Sequence, residues 1–75
     1  MEKFRVYDIY EGKDLIGLCE TQKEVANLCS QWAENCDNEC TFELYIRCEE
    51  DATGARYKRV KNWSYTKNTI KIEEV

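Results

Sequence analysis

Thr21–Cys36, TQKEVANLCSQWAENC, is the stretch whose reading decides the fold. Thr21 followed three residues later by Glu24 forms a capping box. The Thr hydroxyl can accept from the Glu24 backbone N–H while the Glu carboxylate reaches back to the Thr21 N–H. Glu24 also sets a negative charge in the first turn, where it complements the helix dipole. Val25, Leu28, Cys29, Trp32 and Cys36 recur at spacings of three and four and make one apolar stripe. Gln22, Lys23, Asn27, Gln31, Glu34 and Asn35 fall largely on the other side. Asp37 and Asn38 favour turns, so the helix is expected to stop near Cys36. A helix of this length is marginal alone in water, and its stripe must be covered. Trp32 is expected to be its largest anchor, a buried ring whose loss would cost about 3–5 kcal/mol.

The segments on either side supply the cover. Residues 3–10, KFRVYDIY, are rich in β-branched and aromatic side chains and read as a strand. Glu11 to Asp14 make a turn, and Leu15 to Cys19 return as a second strand leading into the helix cap. Gly17 inside that strand points to a bulge or a close backbone approach. Beyond the helix, Thr41 to Cys48 alternates. Phe42, Leu44, Ile46 and Cys48 face one way, and Thr41, Glu43, Tyr45 and Arg47 the other. A helix through Phe42, Tyr45 and Ile46 is the rival reading, and the β-rich composition favours the strand. Asp51 to Gly54 form a turn. Residues 55–62, ARYKRVKN, return as a solvent-facing strand, and Ile70 to Glu74 form the last, with Ile70 and Ile72 inward. The expectation is an α+β fold of order ββαβββ: an antiparallel sheet with one amphipathic helix on one face, its outer face charged and Tyr-bearing.

Length and composition bound the rest. Seventy-five residues make a single domain, 1–75, with one modest core. An apolar share of 43% argues against disorder, and the absence of Pro with only three Gly argues against a linker. No apolar run approaches the ~20 residues of a membrane span, so no membrane partner is expected. MEKFRVYDIYEG carries charges through its apolar part and has no cleavage pattern. The expected location is therefore the cytoplasm. The five cysteines, Cys19, Cys29, Cys36, Cys40 and Cys48, contain no C-x-x-C pair. With no His in the chain, a zinc site would need four of these thiolates at unfavourable spacing. Cys29, Cys36 and Cys48 read as small core residues.

Catalysis has little to work with. There is no His, no Ser in a Gly-flanked elbow and no Gly-rich phosphate loop, so neither an enzyme nor a cofactor is expected. Two macromolecular surfaces remain. The net charge is −4, split into 13 acids and 5 bases over residues 1–51 and 2 acids and 6 bases over 52–75. An acidic group gathers around residues 34–51. From it Glu39, Glu43, Glu49, Glu50 and Asp51, with Tyr45, form the expected partner-binding face. Such a face can occupy the basic cleft of a nucleic-acid-handling protein, competing for the arginines and lysines that hold phosphate. Tyr45, Tyr57 and Tyr65 would add anchor contacts. The alternative is direct nucleic-acid binding by Arg56, Tyr57, Lys58, Arg59, Lys61 and Trp63, cations for phosphate and rings for bases. The acidic total weakens that attraction. Self-association through the edge of the last strand would make the monomer a homodimer.

The run Tyr7–Leu28, YDIYEGKDLIGLCETQKEVANL, resembles small accessory proteins of phages and mobile elements of Gram-positive bacteria. Those pair a Tyr-rich hairpin, closing in a Gly-containing turn, with a helix opening Thr-x-x-Glu-hydrophobic-Ala. In that group a second helix follows and completes a helix-turn-helix-like, DNA-binding unit. Here the stripe continues through Trp32 to Cys36 and the next segment alternates as a strand. No binding residues are therefore carried over. The resemblance implies a phage or mobile-element origin. By analogy of class it implies inhibition of a host defence protein, as anti-CRISPR proteins do.

Overall fold

The computed structural model describes residues 2–35, 41–48, 54 and 56–73. The chain runs β1 (Phe4–Asp8), β2 (Asp14–Cys19), α1 (Gln22–Glu34), β3 (Phe42–Arg47), β4 (Tyr57–Val60), β5 (Trp63–Tyr65) and β6 (Ile70–Ile72). The first four strands form one antiparallel sheet of order β2-β1-β3-β4, and β5 and β6 form a separate hairpin. The α+β class, the antiparallel sheet and, among the described residues, one helix on one face are as the sequence indicates. The order is ββαββββ, because Trp63–Tyr65 adds a strand that pairs with Ile70–Ile72.

Helix α1 starts where its cap predicts. Thr21 is extended, at φ −127° and ψ 160°, and its hydroxyl accepts from the Glu24 N–H at 3.2 Å. The return contact differs by one residue from the expected box: the Glu24 carboxylate accepts from the Glu20 N–H at 3.1 Å. At the other end the Asn35 N–H bonds the Ala33 and Trp32 carbonyls and closes the helix.

Phe4, Val6, Cys19, Val25, Ala26, Cys29, Leu44, Val60 and Ile70 form one buried cluster between the helix and the sheet. Strand period explains the set. Phe4 and Val6 alternate with Arg5 and Tyr7, and Leu44 lies opposite both Val6 and Val60. Removing Leu44 to Ala from such a site costs about 2–5 kcal/mol. Val60 corrects the expectation that residues 55–62 face only solvent: it is 2% exposed. Ile70 brings the second hairpin into the same core, beside the helix.

Gly17 sits beside the bulge its position implied, and what approaches it closely is a side chain of the helix. The β1–β2 register shifts between Val6 and Tyr7, a bulge that leaves Ile16 without a cross-strand partner. A Cβ built on Gly17 would lie 2.4 Å from Leu28 Cδ2, so the glycine lets the helix settle against β2.

Two expectations fail. Trp32 is not the core anchor: it is 38% exposed, and its indole Nε1 donates to Asp8 Oδ2 at 2.8 Å. It lies two turns beyond Val25 on the same side of the helix, in the last turn, where its N–H finds a carboxylate at the end of β1. Cys48 lies just past β3 and is exposed, whereas Cys19 and Cys29 are buried thiols. Burial pushes the Cys29 thiol up to about 12, with the neighbouring Cys19 adding to the shift. Cys36 and Cys40 lie outside the described residues.

Candidate functional site

Among the described residues the sheet has one face under the helix and one that no other element covers. Residues paired across antiparallel strands share a face, so the register gives the open side directly. Arg5 lies between Leu18 and Tyr45, with Arg59 beyond. Tyr7 lies between Leu15 and Glu43, and Arg47 pairs with Tyr57. Side chains from all four strands thus build a surface of leucine, tyrosine and arginine.

Its polar groups are tied to one another. Lys13 Nζ donates to Tyr45 Oη at 2.7 Å and lies 4.9 Å and 4.6 Å from the Tyr7 and Tyr45 ring centres. Those two rings meet edge-on at 5.2 Å. The hydrogen bond to Tyr45 holds the Lys13 ammonium above its ordinary range, against the opposing effect of desolvation. Glu43 pairs with Lys13 at 3.8 Å and with Arg59 at 3.3 Å. On the other side Arg5 stacks on Tyr57, 3.9 Å from the ring centre, and pairs with Glu2 at 3.3 Å. Tyr57 donates its hydroxyl to Glu2, which lowers the carboxyl pKa and raises that of the phenol.

The leucines are different. Leu15 and Leu18 on the edge strand β2 are 49% and 54% exposed, and Tyr10, just past β1, is 53% exposed. This apolar edge borders the tyrosine–arginine network.

Of the residues expected on an acidic face, Glu43 and Tyr45 lie within this network. Glu39, Glu49, Glu50 and Asp51 fall outside the described residues. Glu43 is a paired carboxylate at the centre of the face, shared by two cations. The alternative basic set is divided by strand alternation. Tyr57 and Arg59 lie on the open face. Lys58 pairs with Ile46 on the helix side, Arg56 and Lys61 flank β4, and Trp63 belongs to β5. Arg47 is set outward by the alternation of Thr41 to Cys48, whereas the other residues that complete the face, Arg5, Tyr7, Lys13, Leu15 and Leu18, escape a reading of the sequence alone. The alternation of FRVYD separates Arg5 and Tyr7 from Phe4 and Val6. Only the cross-strand register shows what lies beside them.

Trp63 has its own setting. With Phe42, Tyr65, Thr41 and Ser64 it lines a surface cavity of about 380 Å³ where the second hairpin meets the start of β3. Tyr65 meets Phe42 edge-on at 5.6 Å and lies 6.2 Å from Trp63 at a tilt of 32°.

Among the described residues no helix is long and apolar enough to cross a membrane. Comparison with known protein families, with curated proteins and with solved structures gives no match.

Proposed function

We propose that this chain is a non-enzymatic protein-binding module, an inhibitor of a nucleic-acid-handling protein, and that the open face of its four-stranded sheet is the contact surface. One observation carries the reading. Exposed Leu15 and Leu18 lie in register with Tyr7, Arg5 and Tyr45, while Arg5, Lys13 and Arg59 of the same face are held by Glu2 and Glu43. Tyrosine, arginine and apolar anchors are what protein interfaces concentrate at their centres. A phosphate-binding face needs cations whose donors are free for phosphate, and two carboxylates compete for them here.

The nature of the partner follows from charge. The chain carries −4 overall, with Glu39 preceding and Glu49, Glu50 and Asp51 following β3 in sequence. Negative charge of this kind speeds encounter with a basic cleft and competes there with nucleic acid. The resemblance of Tyr7–Leu28 to phage and mobile-element proteins supports a host defence effector as target, in the manner of anti-CRISPR proteins. The partner is to be captured from a bacterial lysate and its binding then titrated with purified components. Raising salt should weaken the complex chiefly through the on-rate, and reversing Glu49, Glu50 and Asp51 to Lys should weaken it further. Affinity unchanged by that triple reversal would remove the charge argument for a basic partner.

The rival reading is direct nucleic-acid binding, favoured by three arginines and three tyrosines on one sheet face. A mobility-shift series separates the two. At ~50 mM salt, where non-specific attraction is strong, the protein-binding reading expects no shift. A shifted species lost on changing Arg5, Arg47 and Arg59 to Ala would replace it.

A further inference from the structure

The four-stranded sheet ends in two edges, β2 and β4, and they are guarded unequally. β4 carries Lys58 and Arg59, charge that discourages a further strand. β2 reads LIGL between Asp14 and Cys19 and carries no charge there. Its backbone turns outward at two places. The Arg47 N–H donates to the Lys3 carbonyl and the Ile9 N–H to the Thr41 carbonyl, so residues 3, 5, 7 and 9 bond toward β3. Phe4, Val6 and Asp8 therefore bond toward β2, where they meet Cys19, Gly17 and Asp14. Leu18 and Leu15, opposite Arg5 and Tyr7, are left with their N–H and C=O groups on the outer side of β2. Among the described residues no strand lies there.

From this we propose that β2 is a self-association edge. A second copy of the chain adds its own β2, antiparallel across a two-fold axis, and the two four-stranded sheets join into one. The bulge selects this occupant. In a regular strand the residues whose backbone points to one side recur at every second position. Leu15 and Leu18 are three positions apart, because the bulge inserts Ile16 between them. A regular strand laid along this edge can match one of the two and not both. A second β2 carries the same spacing. Leu15 of each copy then lies opposite Leu18 of the other, and both pairs close at once.

Charge agrees with this register. It sets Asp14 against Cys19 and, one step beyond the strand, Lys13 against Glu20, so opposite charges meet at both ends of the seam. Burial agrees as well. Leu15 and Leu18 are 49% and 54% exposed on the open face, and the two-fold gathers the leucines of both copies between two tyrosine–arginine networks. The face proposed for the partner protein is thereby doubled. Self-association does not rest on that reading, and it is measured on the chain alone.

The experiment is sedimentation equilibrium of the full chain from ~5 µM to ~1 mM, which brackets the micromolar affinity expected of so short a seam. Reductant is present throughout, which prevents disulfide dimers through exposed Cys48. The mass should rise from that of the monomer toward twice that value. Amide exchange along the same series should slow at Leu15 and Leu18 as concentration increases. Lys13→Glu and Glu20→Lys should each self-associate roughly 3- to 30-fold more weakly, the effect of two reversed surface pairs. Mixed in equal amounts they should recover the affinity of the parent, because each supplies the charge that the other's seam needs. Should either variant fail to fold, the exchange series on the parent decides alone. A chain that stays monomeric to ~1 mM, well above any micromolar dissociation constant, overturns the proposal. Slowing at Tyr57–Val60 or Ile70–Ile72 in place of Leu15 and Leu18 overturns it too, as does a mixture that associates no better than its components.

Discussion

Placing a single methyl group at Gly17 should reverse its effect on stability according to what occupies position 28. Gly17 has no positive φ, so alanine can adopt its backbone without strain. On backbone grounds Gly17→Ala should therefore stabilise by about 0.4–1 kcal/mol, through lower entropy of the unfolded chain. Packing opposes this. The new Cβ would lie 2.4 Å from Leu28 Cδ2 and 3.4 Å from Cδ1 and Cγ. Leu28 is partly buried against the core, so turning its end away means displacing neighbours, and overpacking of this kind costs about 1–3 kcal/mol. The steric clash outweighs the entropic gain. Gly17→Ala should destabilise by about 1–2 kcal/mol, a fall in Tm of about 4–8 °C per kcal/mol for a domain of this size. In a Leu28→Ala background the obstructing atoms are gone, and the same substitution should stabilise by about 0.4–1 kcal/mol. Urea unfolding of the four proteins, followed by circular dichroism, closes the double-mutant cycle. If Gly17→Ala were neutral or stabilising with Leu28 present, or cost the same in both backgrounds, the Leu28 side chain would not be what limits position 17.

Trp32→Phe should cost about 0.5–1.5 kcal/mol, the worth of an ordinary hydrogen bond to Asp8, and not the 3–5 kcal/mol of a lost core aromatic; chemical denaturation decides between them. The buried Cys29 thiol stays protonated in the fold up to about 12, whereas an unfolded thiol ionises near its ordinary value of 9.0. Unfolding therefore releases a proton between those values. Stability should fall across that window with rising pH by about 1.4 kcal/mol per pH unit for this group, and Cys29→Ala should remove that slope in a pH series of urea midpoints. Thiol labelling mapped by mass spectrometry should find Cys48 modified well before Cys19 or Cys29. Tyr57→Phe removes the hydroxyl that lowers the Glu2 carboxyl pKa, so a carboxyl NMR titration should show Glu2 protonating at higher pH. The stabilisation that a lowered carboxyl provides is present above its unfolded value and lost as pH falls, so this variant should also lose less stability on acidification.

The elements with strong local signals were legible in the sequence. The Thr21 cap, the period-two alternation of residues 41–48 and the anomaly at Gly17 each rest on physics confined to a few neighbouring residues. Trp32 was misplaced because helical spacing gives the direction of a side chain but not whether anything covers it at its own end of the helix. The Trp63–Tyr65 strand was missed because three residues between Asn62 and Thr66 carry almost no periodic signal. What makes it a strand is the distant Ile70–Ile72. The open face was half visible. Glu43, Tyr45, Tyr57 and Arg59 were named, but as members of two opposed sets, acidic and basic. Pairing across β1, β3 and β4 merges those sets, and cross-strand register is a property of the folded chain. Glu43 shows the consequence: an unpaired anion in the sequence, it is a carboxylate clamped by Lys13 and Arg59 in the fold.

The proposal that the open sheet face is where a protein partner docks is tested most directly by the affinity of Leu18→Glu for that partner. Leu18 is 54% exposed and belongs to no part of the core, so the substitution should leave folding stability within about 0.5 kcal/mol of the parent. A charge set among Leu15, Arg5 and Tyr7 at the contact should cost about 2 kcal/mol or more, roughly a 30-fold rise in Kd by calorimetry. Binding that is undiminished in a properly folded Leu18→Glu protein would place the contact elsewhere on the molecule.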